Sequence, residues 1–133
     1  MKILITGATG TVGKALTKRL LQNGHEVIAM SRNEDAQIQM SKDIPAKYIT
    51  GDIRNSETCF RIMHGIDEVY HLAAMKHIST CEAQPQDAVL TNINGTINLV
   101  NAAIYHKVKR FVFLSTDKAV YPSCVYGMTK KIA

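Results

Sequence analysis

Short apolar runs alternate with longer amphipathic patterns along this chain. Five runs rich in β-branched residues have the length and composition of strands, at residues 2–6, 26–30, 47–50, 68–71 and 110–114. Between them, apolar side chains recur three and four positions apart, which predicts helices. One such stripe contains Val12, Ala15, Leu16 and Leu20, and another contains Val89, Ile93, Ile97, Val100 and Ile104. The alternation predicts right-handed crossovers and a parallel sheet that helices cover on both faces.

The predicted fold class is therefore α/β, a Rossmann-type doubly wound parallel sheet that occupies residues 1–133 as one domain. Ser123 is predicted to cap a last helix that begins with YGMTKKIA, and the chain stops within it. A helix that begins and does not finish suggests that the C-terminal part of the usual fold is missing. No stretch approaches the roughly 20 apolar residues of a membrane span, and we expect no signal peptide or anchor.

Composition and charge narrow the choice of partner. The net charge is +5, but the basic residues are scattered and few aromatic residues accompany them, so we expect no nucleic-acid partner. Either a phosphate-bearing small molecule or a solvated basic surface explains the charge. The three cysteines, Cys59, Cys81 and Cys124, are an odd number without C-x-x-C spacing, which predicts reduced thiols in a cytoplasmic protein and no metal site.

The sequence GATGTVG follows the first predicted strand and opens the first helix. Glycine allows a tight turn, close approach of the backbone to a pyrophosphate, and close packing of the helix on the strand. The free N–H groups and the positive end of that helix favour phosphate. We therefore predict that this segment binds the pyrophosphate of a dinucleotide through Gly7, Thr9, Gly10, Thr11, Val12 and Gly13.

The residues after the second strand indicate which dinucleotide binds. NAD-selective sites place a carboxylate there for the ribose hydroxyls, whereas this chain has Ser31 followed by Arg32. A guanidinium can pair with a 2′-phosphate that a carboxylate would repel, so we predict NADP as the cofactor. NAD is the alternative if Arg32 is only a solvated loop residue and Glu34 or Asp35 takes the hydroxyls.

Tyr126 and Lys130 have the Y-x-x-x-K spacing after the fifth strand. Residues four apart share one face of a helix, so both side chains can address one substrate atom. A tyrosine hydroxyl ordinarily has a pKa near 10, and a nearby ammonium favours its phenolate, which can accept an alcohol proton. Hydride transfer from an alcohol requires such a base, although an exposed surface pair has the same spacing.

Taken together, GATGTVG, Asn92 in TNINGT, STDKA and YGMTK resemble the extended short-chain dehydrogenases/reductases. Within that superfamily, HLAAMKHISTCEAQP, TNINGT and STDKA resemble the UDP-N-acetylglucosamine 4,6-dehydratases of bacterial surface-glycan synthesis, which belong among the polysaccharide biosynthesis proteins. The TDK triplet differs from the TDE of dTDP-glucose 4,6-dehydratases. The resemblance covers the whole chain, while the small substrate domain that follows in this family is absent from it.

The resemblance implies that a nucleotide sugar is oxidised, dehydrated and reduced again. Tyr126, assisted by Lys130, would take the proton of the 4-hydroxyl, Lys118 would remove the proton at carbon 5, and Asp117 would protonate the departing 6-hydroxyl. Thr116 would hydrogen-bond the sugar. On the cofactor side, the resemblance implies roles for Asp52 and Ile53 at the adenine, Ala73 and Ala74 beside the cofactor, Lys76 near the substrate, and Asn92 as an active-site support. His77 and Glu82 also match, with structural roles equally open.

Other interpretations remain open. Asp117 and Lys118 could form an exposed turn pair of small energetic value. Tyr121 stands where the family usually has asparagine, and Ser123-Cys124 replaces another commonly polar amide position. A 4-epimerase or ketosugar reductase needs only the tyrosine and lysine, and a non-catalytic NAD(P)-binding module needs neither. The expected partner is a UDP-N-acetylglucosamine-like nucleotide sugar, with a homo-oligomer expected for the complete enzyme.

Overall fold

Five parallel strands form one sheet in the order β3-β2-β1-β4-β5 in the computed structural model, which describes all 133 residues. The strands are β1 (Lys2–Thr6), β2 (Glu26–Ser31), β3 (Lys47–Thr50), β4 (Glu68–His71) and β5 (Arg110–Phe113). The helices are α1 (Thr11–Gln22), α2 (Glu34–Ser41), α3 (Ser56–Ile62), α4 (Ile78–Ala83), α5 (Pro85–Val89), α6 (Gly95–Tyr105) and α7 (Val125–Ile132). A π-helical turn (Leu90–Asn94) leads into α6, and a 3₁₀ turn (Asp117–Ala119) precedes α7.

The sheet order places a crevice at the carboxyl end of β1. Strand β1 pairs with β2 on one side and with β4 on the other. The crossovers from β1 to β3 therefore proceed towards one edge of the sheet, and those from β4 to β5 proceed towards the other edge. In open parallel sheets, ligands bind at such a switch point, beyond the carboxyl ends of the strands. The predicted Rossmann-type α/β fold is therefore confirmed.

Two apolar clusters cover the two faces of the sheet. Alternate residues of β1 point to opposite faces, so Leu4 joins the cluster beneath α3 and α6 while Ile3 and Ile5 join the cluster beneath α1. All three side chains are fully buried. Burial on both faces explains why the central strands appear in the sequence as continuous apolar runs rather than as alternating ones.

The stripe predicted around α6 was wrong about which helix face is buried, whereas the stripe in α1 was right in part. In α1 Leu20 is buried and Leu16 packs against the core, but Val12 is half exposed, and the small residues Gly13 and Thr17 complete the buried face. The buried face around α6 consists of Asn92, Thr96, Leu99, Ala102 and Ala103, and Ile97, Val100 and Ile104 face outward. The segment from Val89 to Tyr105 has no charged residue, so its periodicity cannot select a face. Small residues and hydrogen-bonding side chains select it instead, because they allow close approach to the sheet.

The predicted element boundaries differ slightly from those observed. The second strand extends to Ser31 and the fifth ends at Phe113. Cys124, not Ser123, caps α7, and its Sγ accepts a hydrogen bond from the Gly127 N–H at 3.4 Å. The cysteines are all unpaired, as the sequence predicts. None of the helices has the length and apolar character that crossing a membrane would require.

Candidate cofactor and active site

The glycine segment makes a close-packed junction between β1, β4 and α1. Gly7 has a φ of +71°, and a Cβ there would lie 2.7 Å from the Ala73 backbone nitrogen. A Cβ on Gly13 would lie 2.6 Å from the carbonyl oxygens of Gly7 and Ala8. No side chain caps the first turn of α1, which begins after Gly10. Its N–H groups therefore remain free for an anion.

A cavity of about 240 Å³ lies beyond the carboxyl ends of β1, β2 and β3. Most of the predicted cofactor residues line it, namely Gly7, Thr9, Gly10, Ser31, Arg32, Asp52, Ile53, Ala73, Ala74 and Lys76. Glu34 and Asp35 do not, because they form the exposed first turn of α2. The only carboxylate in the cavity wall is that of Asp52.

Arg54 holds the Asp52 carboxylate from outside the cavity. Its Nε and Nη2 donate to Asp52 Oδ2 at 2.9 and 2.7 Å, and its Nη1 lies 3.5 Å from Asp87. Burial would raise the pKa of Asp52, but hydrogen bonds from Arg54 and the charges of Arg54 and Arg32 hold it below its usual value. Sequence reasoning missed Arg54, although it stands two residues after Asp52 in GDIRN.

A second cavity, of about 120 Å³, continues from the first towards α7. Gly7, Gly10, Ala74 and Lys76 line both cavities, while Thr11, Val12, Gly13, Tyr126 and Lys130 line the second. The structure therefore brings the tyrosine and lysine of the Y-x-x-x-K pattern to the glycine segment. Together the two cavities extend from Asp52 to Tyr126.

Lys130 is buried beneath this second cavity. Its Nζ donates to the Leu114 carbonyl oxygen at 2.6 Å and lies 4.0 Å from the centre of the Phe113 ring. Burial lowers the pKa of Lys130 to about 8. The ammonium is thus confined to one position at the end of β5, where its charge acts on nearby groups with little solvent screening.

Asn92 acts on the backbone rather than lining either cavity. It lies in the π-helical turn and is 1% exposed. Its Oδ1 accepts from the Met75 N–H at 2.8 Å, and its Nδ2 donates to the Met75 carbonyl oxygen at 2.9 Å and to Thr129 Oγ1 at 3.0 Å. Asn92 therefore joins the segment after β4 to α7. This geometry favours a supporting role over direct contact with the cofactor.

Asp117 and Lys118 lie in the 3₁₀ turn between β5 and α7, and Thr116 directly precedes that turn. The Lys118 ammonium lies 3.3 Å from Asp117 Oδ2, with the side chains 50% and 83% exposed respectively. A hydrogen bond from Thr116, followed by that from Lys118, lowers the pKa of Asp117. Asp117 is therefore ionised in the open site. Its predicted role as an acid requires that a bound substrate displace water and raise this pKa.

Close packing places this turn against α7. A Cβ on Gly127 would overlap the Lys118 carbonyl oxygen, so only glycine permits the observed approach. Glu82 on α4 stabilises the same region, because its Oε1 accepts from the Val125 N–H at 2.7 Å at the start of α7. His77 is exposed at the start of α4, where its side chain makes no capping hydrogen bond.

Sequence reasoning also missed His71, a buried hydrogen-bonded residue at the end of β4. Its Nδ1 lies 2.7 Å from Thr6 Oγ1, and its Nε2 lies 3.0 Å from Thr96 Oγ1. Burial, together with the charge of Lys130, lowers the pKa of His71 to about 3. Neutral His71 thus links β1 to α6 beneath the active site. A histidine at the carboxyl end of a predicted central strand was the available signal.

The sequence profile of the polysaccharide biosynthesis protein family matches residues 3–133. The chain belongs to this family. Among curated relatives, a UDP-N-acetylglucosamine 4,6-dehydratase (inverting) from Campylobacter jejuni is 42% identical over 133 residues, which cover 96% of this chain and 40% of the relative. A UDP-glucose 4-epimerase from Rickettsia rickettsii is 40% identical over an alignment of 138 positions. The alignment covers 98% of this chain and 40% of the relative.

Solved structures of two further proteins share the fold. Pen from Bacillus thuringiensis is 44% identical with a TM-score of 0.95, over 98% of this chain and 42% of Pen. DesIV from Streptomyces venezuelae is a dTDP-glucose 4,6-dehydratase that was solved with NAD and TYD bound. It is 26% identical with a TM-score of 0.87, over 99% of this chain and 49% of DesIV. The chain thus spans about 40% of the length of its curated relatives and less than half of these structures. Family membership is shown, whereas the named relatives differ in their reactions.

Proposed function

We propose that this chain is the cofactor-binding part of an NADP-dependent 4,6-dehydratase that acts on UDP-N-acetylglucosamine or a similar nucleotide sugar. The observation that carries the proposal is the adjacency of Asp117 and Lys118 on the turn packed against α7, which bears Tyr126 and Lys130. Elimination of water needs an acid and a base at neighbouring carbons, and consecutive residues on one turn supply both. The family and the Campylobacter jejuni relative support this assignment.

A nicotinamide dinucleotide fits the residues present. The uncapped start of α1 and the close-packed glycines leave space and N–H groups for a pyrophosphate. DesIV, which shares this fold, was solved with NAD bound. NADP is favoured because Ser31 and Arg32 line the cavity while Glu34 and Asp35 do not. When bound, the cofactor supplies a hydride acceptor that later returns the hydride to the sugar.

The chain's own residues would act on protons. Tyr126 accepts the proton of the sugar 4-hydroxyl, and the buried Lys130 ammonium lines the same cavity. The 4-ketone acidifies the proton at carbon 5. With substrate bound, Asp117 holds the proton of the Asp117–Lys118 pair, so the neutral Lys118 amine takes the proton from carbon 5 while the C–H electron pair forms the double bond between carbons 5 and 6. Asp117 gives its proton to the 6-hydroxyl as the bond between that oxygen and carbon 6 breaks, and water leaves. Thr116 positions Asp117 through a hydrogen bond of 3.1 Å between their side chains.

A 4-epimerase is the second candidate, because the Rickettsia rickettsii relative bears that name. Epimerisation requires Tyr126 and Lys130 but no acid and base on the 3₁₀ turn. The two reactions therefore make opposite demands on Asp117 and Lys118.

The test uses a protein that carries this chain together with the part present in its relatives. UDP-N-acetylglucosamine is supplied, and the product is examined by mass spectrometry for loss of one water. We expect Asp117→Asn and Lys118→Met to abolish water loss, Tyr126→Phe to abolish all turnover, and the exposed control Lys131→Met to retain activity. A product of unchanged mass that forms equally well in Asp117→Asn would establish the epimerase. Cofactor binding without any turnover would favour a non-catalytic module.

A further inference from the structure

Gln37 connects the ends of β2 and β3 beside the cofactor cavity. It lies on α2, and its side chain is buried, with the residue 5% exposed. Its Nε2 is 3.1 Å from the Ser31 carbonyl oxygen, 2.8 Å from the Ile49 carbonyl oxygen and 3.0 Å from Ser31 Oγ. Its Oε1 accepts from Thr50 Oγ1 at 3.1 Å. The amide is therefore hydrogen-bonded at both ends.

These partners determine which end of the amide faces Ser31. The carbonyl oxygens of Ser31 and Ile49 can only accept hydrogen bonds, so the NH₂ group must point towards them. The opposite orientation would place the amide oxygen against two carbonyl oxygens and leave the NH₂ group only Thr50 Oγ1 as an acceptor. The two hydrogens of the Gln37 NH₂ group are shared among these three acceptors, and because an amide nitrogen cannot accept, the Ser31 hydroxyl cannot donate to it.

The hydroxyl proton of Ser31 is then directed elsewhere. Within the protein it has only a long contact, 3.4 Å, with the Asn33 carbonyl oxygen. Ser31 lines the cofactor cavity next to Arg32. The Asn33 side chain does not compete for this position, because its Oδ1 accepts from the Ala36 N–H at 2.9 Å. The cavity wall thus presents one hydroxyl donor beside one guanidinium.

We propose that Gln37 is a specificity-determining residue that makes Ser31 a hydrogen-bond donor to the 2′-phosphate of NADP. A phosphate dianion accepts hydrogen bonds from the Ser31 hydroxyl and the Arg32 guanidinium at once. A free 2′-hydroxyl on NAD is best recognised by an acceptor such as a carboxylate, and the Gln37 NH₂ group occupies one acceptor position of Ser31 Oγ. This inference rests on the NADP preference in the proposed function.

The test measures dissociation constants of this chain for NADP and NAD, and the quantity compared is their ratio. Ser31→Ala removes only the hydroxyl, and we expect it to weaken NADP binding about tenfold while NAD changes less than about twofold. Gln37→Met keeps the side-chain length and removes the donor, so the preference for NADP should fall several-fold. Thr50→Val, which removes only the bond to Gln37 Oε1, is the matched control and should keep the wild-type ratio. Circular dichroism checks that each variant is folded.

A structural role for Gln37 would weaken both cofactors equally and leave their ratio unchanged. If the wild type prefers NADP and neither Ser31→Ala nor Gln37→Met lowers that preference, the inference is wrong while the proposed cofactor stands. If the wild type binds NAD more tightly, the proposed NADP preference fails and the inference fails with it. Should Gln37→Met not fold, Ser31→Ala still decides whether the hydroxyl is the donor.

Discussion

Asn92 Nδ2 donates a buried hydrogen bond of 3.0 Å to Thr129 Oγ1, across 37 residues of sequence. The same amide group binds both backbone polar groups of Met75. One side chain therefore relates the segment after β4, the start of α6 and the helix that bears Tyr126. The position of Tyr126 relative to the cofactor cavity depends on this contact.

Thr129→Val should weaken this connection without changing the shape of the side chain. Asn92 Nδ2 would keep only the Met75 carbonyl oxygen, and we expect the free energy of unfolding to fall by about 1 kcal/mol. Urea denaturation measures the change. Thr129→Ser keeps the hydroxyl and should retain more of the lost stability. Equal stability of Thr129→Val and the wild type would show that the bond contributes nothing.

Two glycine substitutions should separate packing from cofactor binding. A Cβ at Gly13 would lie 2.6 Å from two carbonyl oxygens, so Gly13→Ala should destabilise the protein by about 1–3 kcal/mol. At Gly10 the nearest atom is 3.4 Å away and φ is −72°, so Gly10→Ala should fold normally. Its methyl group would still take up space that the proposed pyrophosphate needs at the start of α1, so the affinity for NADP, measured by titration, should fall. Unchanged affinity in folded Gly10→Ala would argue against pyrophosphate binding at this turn.

His71 should make the protein sensitive to acid. Burial lowers its pKa to about 3 from 6.5, so the unfolded chain binds a proton that the folded chain excludes. The stability that neutral His71 permits is complete above pH 6.5 and is lost as the pH falls towards 3. His71→Asn lacks this titrating group. The difference in the free energy of unfolding between the wild type and His71→Asn should therefore narrow by about 2 kcal/mol between neutral pH and about pH 5.

Unfolding curves recorded at several pH values test this expectation. His77→Asn, at an exposed position, controls for the loss of one imidazole. A gap between His71→Asn and the wild type that stays constant from neutral pH to pH 5 would contradict the assignment.

Tyr121 should be replaceable by asparagine with a gain in stability. Its φ is +48°, in the left-handed region that asparagine adopts more readily than aromatic residues, and its side chain is 93% exposed. Tyr121→Asn therefore loses no packing, and the free energy of unfolding should rise by about 0.5–1 kcal/mol. Thermal denaturation measures the gain. Val120→Asn, at an exposed neighbour with φ of −85°, should show no such gain.

The resemblance described in the sequence analysis implies asparagine at this position, and the backbone here takes the conformation that asparagine favours. A loss of stability in Tyr121→Asn would indicate that the exposed ring has a contact the backbone argument omits.

Local signals in the sequence were sufficient for the fold class and for the glycine turn between β1 and α1. Strand-length apolar runs, their alternation with helices, and Gly7, Gly10 and Gly13 in one short segment each depend on backbone geometry a few residues long. The parallel sheet and the junction at α1 followed those signals. Tyr126 and Lys130 were found in the same way, because one helical turn relates them.

Only the tertiary structure decided which face of α6 is buried, which groups hold Asp52, and which way Ser31 directs its proton. An uncharged helix has no sequence signal for its buried face, so close packing against the sheet selects it. Arg54 and Gln37 act through side-chain atoms whose partners lie on other elements. The chemistry of Asp117 and Lys118 likewise depends on exposure. The sequence by itself determined the parallel α/β scaffold and its glycine turn, and long-range packing determined the environment of each polar group on it.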